Sequence, residues 1–165
     1  MNLDKLCSII QDMKGHTDRL KILVENHKDI IIIGNGGSNA IASHISQDYT
    51  KALGKRAHSF SDPSRLTCYI NDYGRDEAYA KFLEHFATED TLVILISSSG
   101  NSQNICNAAR YCIETATEFV SLTGFDCGNE LNLIGYEHAV LNYWIDATDY
   151  GEVECAHEIF LHSII

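Results

Sequence analysis

The chain has 165 residues and a mass of 18.4 kDa, room for one domain with a proper core and too little for two ordinary ones, so 1–165 reads as a single unit. Apolar residues at 45% and charged ones at 21% match a globular protein and exclude a disordered tail or a fibre. Twelve Lys and Arg against 23 Asp and Glu leave a net charge of −11, which repels phosphate backbones and anionic headgroups and argues against nucleic-acid or membrane binding.

No apolar run approaches the roughly 20 residues that span a bilayer, and Met1 to Lys5 lacks the layout of a signal peptide. A cytoplasmic protein is the expectation. Six cysteines (7, 68, 106, 112, 127 and 155) form no Cys-x-x-Cys pair and are expected to be reduced, most of them packed as small hydrophobes.

Apolar runs alternate with helical periodicity along the chain, which predicts a parallel sheet with crossover helices. Leu3, Leu6, Ile9, Ile10 and Met13 share one helical face, and Leu20, Leu23 and Val24 mark a second helix. Ile30 to Ile33 follow without alternation, as in a strand buried on both faces. After Gly34-Asn35-Gly36-Gly37-Ser38, Ile41, Ile45, Tyr49 and Leu53 recur every fourth residue, a helix with Tyr49 in the core. A short strand is expected near Arg56 to Phe60, an irregular stretch over Asp62 to Gly74 with room for another short element, and a helix around Asp76 to Phe86. Thr91 to Ile96 is a second unbroken strand. Ser102 stands where a helix carrying Ile105, Ala108, Ala109, Cys112 and Ile113 needs its N-cap. Phe119 to Thr123 and Val140 to Ile145 give two more strands, and a last helix turns Val153, Ala156, Phe160 and Ile164 toward the core. The fold class is therefore a three-layer α/β sandwich with about five parallel strands.

Ligands of such sheets sit beyond the carboxyl ends of the strands, where helix N-termini converge. Both conspicuous loops fall there. Gly34 to Asn39 brings backbone close to a ligand, but lacks the third glycine of the dinucleotide fingerprint, having Asn39 instead, and the Lys of an ATP loop. Ser97, Ser98, Ser99 and Ser102 supply four hydroxyls in six residues where a helix begins. They suit a phosphate dianion, while any one of them could equally cap a helix or tile a turn.

His44 and Asp48 lie four apart on one helix face, and Glu154, Glu158 and His162 repeat at helical spacing on the last helix. Imidazole and carboxylate are zinc ligands. Spacing alone leaves a shared metal site open beside the alternative of separate structural histidines.

Taken together, these residues resemble the sugar isomerase (SIS) domain family, most closely its phosphoheptose isomerases. The resemblance rests on Gly34-Asn35-Gly36-Gly37-Ser38 with His44 six residues on, Asn71-Asp72-Tyr73-Gly74, Ile96 to Ser102, Leu122-Thr123-Gly124 and the Glu154 to His162 helix. It implies a flavodoxin-like fold, a homotetramer with active sites at subunit interfaces, and interconversion of a ketose phosphate and an aldose phosphate. Zn2+ or another divalent cation, one per subunit, is implied as cofactor. By position, Asn35, Gly36, Gly37, Ser38, Asn71, Asp72, Ser97, Ser98, Ser99, Ser102 and Glu154 match substrate-binding residues. His44, Asp48, Glu154 and His162 match metal ligands, and Asp48 and His162 also match the acid–base pair.

The chain departs from the family pattern at Asp48, usually Glu, at Glu154, usually Gln, and at Ala52, usually Arg. Sedoheptulose 7-phosphate is the implied substrate. The alternatives are another phosphosugar and a non-catalytic SIS module that binds a sugar phosphate or a protein partner.

Overall fold

The computed structural model describes residues 1–165. Helices α1 (Leu3–Asp12) and α2 (Lys14–Asn26) lead into β1 (Asp29–Gly34), α3 (Gly36–Leu53) and β2 (Arg56–Ser59). Then come α4 (Pro63–Tyr73), α5 (Ala78–Phe86), β3 (Thr91–Ser97) and α6 (Gln103–Glu114). β4 (Phe119–Thr123), α7 (Glu130–His138), β5 (Leu141–Trp144) and α8 (Tyr150–His162) complete the chain. The five strands form one parallel sheet in the order β2-β1-β3-β4-β5.

The unbroken apolar strands have a simple cause. Ile30 and Ile32 join a core shared with α2, α3 and α8, whereas Ile31 and Ile33 face the opposite side, packed with α5 and α6. Leu92, Ile94 and Ile96 against Val93 and Leu95 repeat the division on β3. Each isoleucine so enclosed contributes about 2 kcal/mol relative to leaving it in water. Tyr49 and Phe160 are wholly buried, as their spacing predicts, and the Tyr49 hydroxyl donates to Leu161 O at 2.9 Å, tying α3 to α8. Asp29, paired opposite Arg56 in the β1–β2 register, receives both arms of that guanidinium and fixes the edge strand.

Three expectations need correction. The stretch over Asp62 to Gly74 is a helix: Asp62 caps it by accepting from Arg65 N at 2.8 Å, and Pro63 occupies its first position. None of its residues is fully buried, and Leu66 and Tyr69 pack half-buried against the core. Helix α7, absent from the sequence reading, buries only Leu131 and Gly135. Of the six cysteines only Cys106 and Cys112 are buried, while Cys7, Cys68 and Cys127 are exposed; all six are unpaired thiols. No helix is long and apolar enough to cross a membrane.

Candidate active site

The last paired residues of β1 and β3 are Gly34 and Ile96. Beyond them the chain leaves β1 for α3 on one face of the sheet and leaves β3 for α6 on the other, which opens a crevice between diverging loops. A cavity of about 220 Å³ lies there. Its walls are the Asn35 to Ser38 turn, Ser97 to Ser99 and Ser102, closed on one side by Tyr150 and Glu154 of α8. A larger hollow of about 400 Å³ between α5 and α6 includes Lys81 and Arg110, which pair with Glu84 and Glu130, and holds neither loop.

The cavity offers donors without cations. The first turn of α3 leaves the amides of Gly36, Gly37 and Ser38 outside the helical ladder, whose first N–H is Asn39 to Asn35 O at 3.3 Å. Ser102 takes the N-cap position of α6 but its hydroxyl makes no capping bond. The Ser98 hydroxyl is buried with no partner. Free amides at a helix start together with unengaged hydroxyls form an anion site of the kind that holds phosphate. Neither Lys nor Arg lines it, and Glu154 brings a carboxylate against Gly37.

A second group lies further along the same two helices. His44 and Asp48 project from α3 toward His162 of α8, eight residues beyond Glu154 and thus roughly 12 Å along the helix axis. Asp48 Oδ2 is 3.3 Å from His44 Nε2 and 3.2 Å from His162 Nε2, and the two rings meet edge to face with centroids 5.0 Å apart. Glu158 supplies the other side of both rings. Its carboxylate lies 3.0 Å from His44 Nδ1 and its carbonyl oxygen 3.1 Å from His162 Nδ1. Glu158 thus engages both Nδ1 atoms and leaves both Nε2 atoms facing Asp48. One ligand atom from each of His44, Asp48 and His162 lies within 4.8 Å of the others. That donor set fits a divalent cation such as zinc.

His157, on the inward face of α8, takes no part in this group. Its Nε2–H donates to Thr123 O at 3.2 Å, and burial pushes the imidazole down to about 4, so it is neutral in the folded protein.

The structure thus brings Asn35, Gly36, Gly37, Ser38, Ser97, Ser98, Ser99, Ser102 and Glu154 to one cavity, and His44, Asp48 and His162 to one centre. Glu154 lies outside the three-residue centre. Asn71 and Asp72 sit on the exposed α4, joined to each other at 2.9 Å, and do not line the cavity. Tyr150 at the cavity mouth and Glu158 behind the histidines complete the site. Glu158 shares the helical spacing of Glu154 and His162, a signal that marks its face without saying which carboxylate meets His44.

The SIS domain family matches residues 11–124 of the chain. A phosphoheptose isomerase from Fusobacterium nucleatum is 35% identical over 143 residues, covering 84% of this chain and 71% of its own length. One from Aliarcobacter butzleri is 30% identical, covering 98% of this chain and 88% of its own. The solved structure of a phosphoheptose isomerase from Neisseria gonorrhoeae superposes with a TM-score of 0.86 at 25% identity, over 98% of this chain and 89% of that one. The chain belongs to the SIS-domain family and, within it, to the phosphoheptose isomerases.

Proposed function

We propose that the protein interconverts sedoheptulose 7-phosphate and D-glycero-D-manno-heptose 7-phosphate through an enediol, with Asp48 and His162 as its acid–base pair. The observation that carries this reading is the convergence of Asp48 Oδ2 on His162 Nε2 and His44 Nε2 at 3.2 and 3.3 Å, in a member of an isomerase family. Isomerisation moves one proton between neighbouring carbons and a second between their oxygens: one group takes the first from the carbon beside the carbonyl and returns it to the neighbouring carbon, and the partner, of opposite protonation, serves the two oxygens. Asp48 and His162, 3.2 Å apart, are close enough to act on neighbouring atoms of one substrate. His44, Asp48 and His162 would hold the divalent cation, which when bound supplies Lewis-acid polarisation of the substrate carbonyl. Glu158 holds both rings by Nδ1 so that Nε2 of each faces Asp48. The Gly36 to Ser38 amides and the serine hydroxyls bind the phosphate as a remote handle, which orients the reacting carbons.

The homotetramer that the family resemblance implies is part of this proposal. Asn71 and Asp72 on the exposed α4 are then available to a neighbouring subunit's site, and Ile70 and Tyr73 of α4 and Phe86 of α5 are exposed large hydrophobics. A coupled assay with sedoheptulose 7-phosphate, run with zinc and after chelation, tests the reading. Turnover lost on chelation and restored by the metal is expected; a metal-loaded tetramer that leaves the sugar unchanged rules it out.

A second reading, an isomerase for a different phosphosugar, is favoured by Glu154. A carboxylate in the cavity accepts hydrogen bonds and repels anions, so it reads the hydroxyl pattern of the sugar differently from an amide. Turnover of other ketose phosphates in the same assay decides between them.

A further inference from the structure

Past Gly34 and Ile96 the sheet ladder ends, so backbone bonds no longer hold the two ligand loops at a fixed separation. A side-chain bridge does. Asn35 Nδ2 donates to Asn104 Oδ1 at 2.9 Å, and Asn104 Nδ2 donates back to Asn35 Oδ1 at 3.0 Å. This reciprocal amide pair spans the crevice from the N-cap of α3 to the first turn of α6. Asn104 is itself pinned, because its Oδ1 also accepts from Ile105 N at 3.0 Å. Beneath the pair, α5 contributes the Tyr79 hydroxyl, 2.9 Å from Asn35 Oδ1 and 3.0 Å from Gly34 O. Asn104 and Tyr79 are 5% and 4% exposed. Burial pushes the Tyr79 phenol up to about 12, so it remains an O–H donor wherever the fold is stable.

Asn35 Oδ1 therefore accepts from Asn104 Nδ2 and shares the single Tyr79 O–H with Gly34 O, and Nδ2 gives one proton away, which leaves little of this side chain for substrate. We infer that Asn104 and Tyr79 are positioning residues for the phosphate end of the substrate: through Asn35 they set the distance between the Gly36 to Ser38 amides and the Ser97 to Ser102 hydroxyls. A phosphate must meet donors from both loops at once, so its binding depends on that distance, whereas the Asp48 and His162 pair rests on α3 and α8 and does not touch the bridge. The inference rests on the proposed phosphate role of the cavity.

The test compares wild type with Asn104→Ala and Tyr79→Phe, using inorganic phosphate as the probe and sedoheptulose 7-phosphate as the substrate. For Asn104→Ala the phosphate Kd and the sugar KM are expected to rise roughly tenfold, with kcat changed by less than about threefold; Tyr79→Phe is expected to give a smaller rise in the same two constants. Should Asn104→Ala fail to fold, Tyr79→Phe, which loses one oxygen and keeps its ring, carries the test alone. Folded variants that melt earlier yet keep wild-type KM and phosphate Kd would overturn the inference and leave the phosphate cavity standing. Wild-type protein that turns over the sugar but takes up phosphate elsewhere, with Ser98 and Ser102 unperturbed, would overturn both.

Discussion

Gly37 and Glu154 face each other without spare room: a Cβ placed on Gly37 would lie 2.5 Å from Glu154 Oε1. The obstacle is the end of a flexible side chain, so Gly37→Ala is expected to fold with a stability change within about 1 kcal/mol. The displaced carboxylate and the added methyl alter the cavity, and KM for the sugar phosphate should rise severalfold. Gly34 is the contrast. Its Cβ would meet Ser38 Cβ at 2.6 Å and Ser38 backbone atoms at 2.7 Å, in the rigid first turn of α3, so Gly34→Ala should lose about 2 to 3 kcal/mol in urea denaturation. Equal stability losses for the two variants would contradict this account of the turn.

Asp48→Asn and His162→Ala each remove one half of the pair that is 3.2 Å apart. Each is expected to lower kcat by at least about 100-fold, while the affinity for inorganic phosphate, proposed to bind in the cavity beside Glu154 roughly 12 Å away along α8, is expected to hold. Full turnover in either variant would dismiss the assigned acid–base roles.

Glu158 orients His44 and His162 from behind. Partners of this kind typically change metal affinity by about 10- to 100-fold when replaced. Glu158→Gln is therefore expected to weaken zinc binding by that order in a chelator competition. Glu154→Gln, outside the three-residue centre, should change zinc affinity far less than it changes KM. The opposite ranking would return Glu154 to the metal.

The difference between these two glutamates shows what a sequence can and cannot display. Ile30 to Ile33 and Leu92 to Ile96 announce strands covered on both faces because every residue is apolar, and the loops after them inherit their place from the sheet. Helical spacing sets Glu154, Glu158 and His162 on one face, but only the packing of α8 against α3 decides which carboxylate reaches His44. Helices α4 and α7 escape notice because they bury few or no side chains completely; for α4 the cap Asp62 followed by Pro63, with Leu66, Tyr69, Ile70 and Tyr73 at helical spacing, carries the signal. The bridge of Asn35, Tyr79 and Asn104 joins residues 44 and 69 positions apart, and no local pattern encodes such a contact.

His157 supplies a pH dependence of stability. Its folded pKa is lowered from 6.5 to about 4 by burial, so between those values the unfolded chain binds the proton more readily and the folded state loses stability as pH falls. From pH 7.5 to 5 the loss from this group is about 2 kcal/mol. Asp29, lowered below 3.8 chiefly by its hydrogen bonds to Arg56, acts in a different window: its contribution disappears only as pH falls below the ordinary carboxylate range. His157→Gln retains a donor for Thr123 O without a titrating ring. Urea denaturation at pH 7.5 and 5 should show a smaller pH effect in the variant than in the wild type; identical pH effects would mean that His157 is accessible to protons in the fold.

The cysteines separate by burial and by charge. Burial pushes the Cys106 thiol up to about 11 and the Cys112 thiol up to about 12, so neither should react with a thiol reagent before denaturant is added. Cys7, Cys68 and Cys127 are exposed but not equivalent. The Cys68 thiol donates to Asp72 Oδ2 at 3.5 Å, and this hydrogen bond raises its pKa by favouring the protonated form. Cys68 should therefore be modified more slowly than Cys7 and Cys127 at pH 7.5. Asp72→Asn removes the negative charge, and the Cys68 rate is expected to rise severalfold while those of Cys7 and Cys127 stay constant. Mass spectrometry of each modified peptide reads the three rates separately. An unchanged Cys68 rate in Asp72→Asn would show that access, set by the surroundings of α4 in the assembled protein, governs this thiol instead of its acidic neighbour.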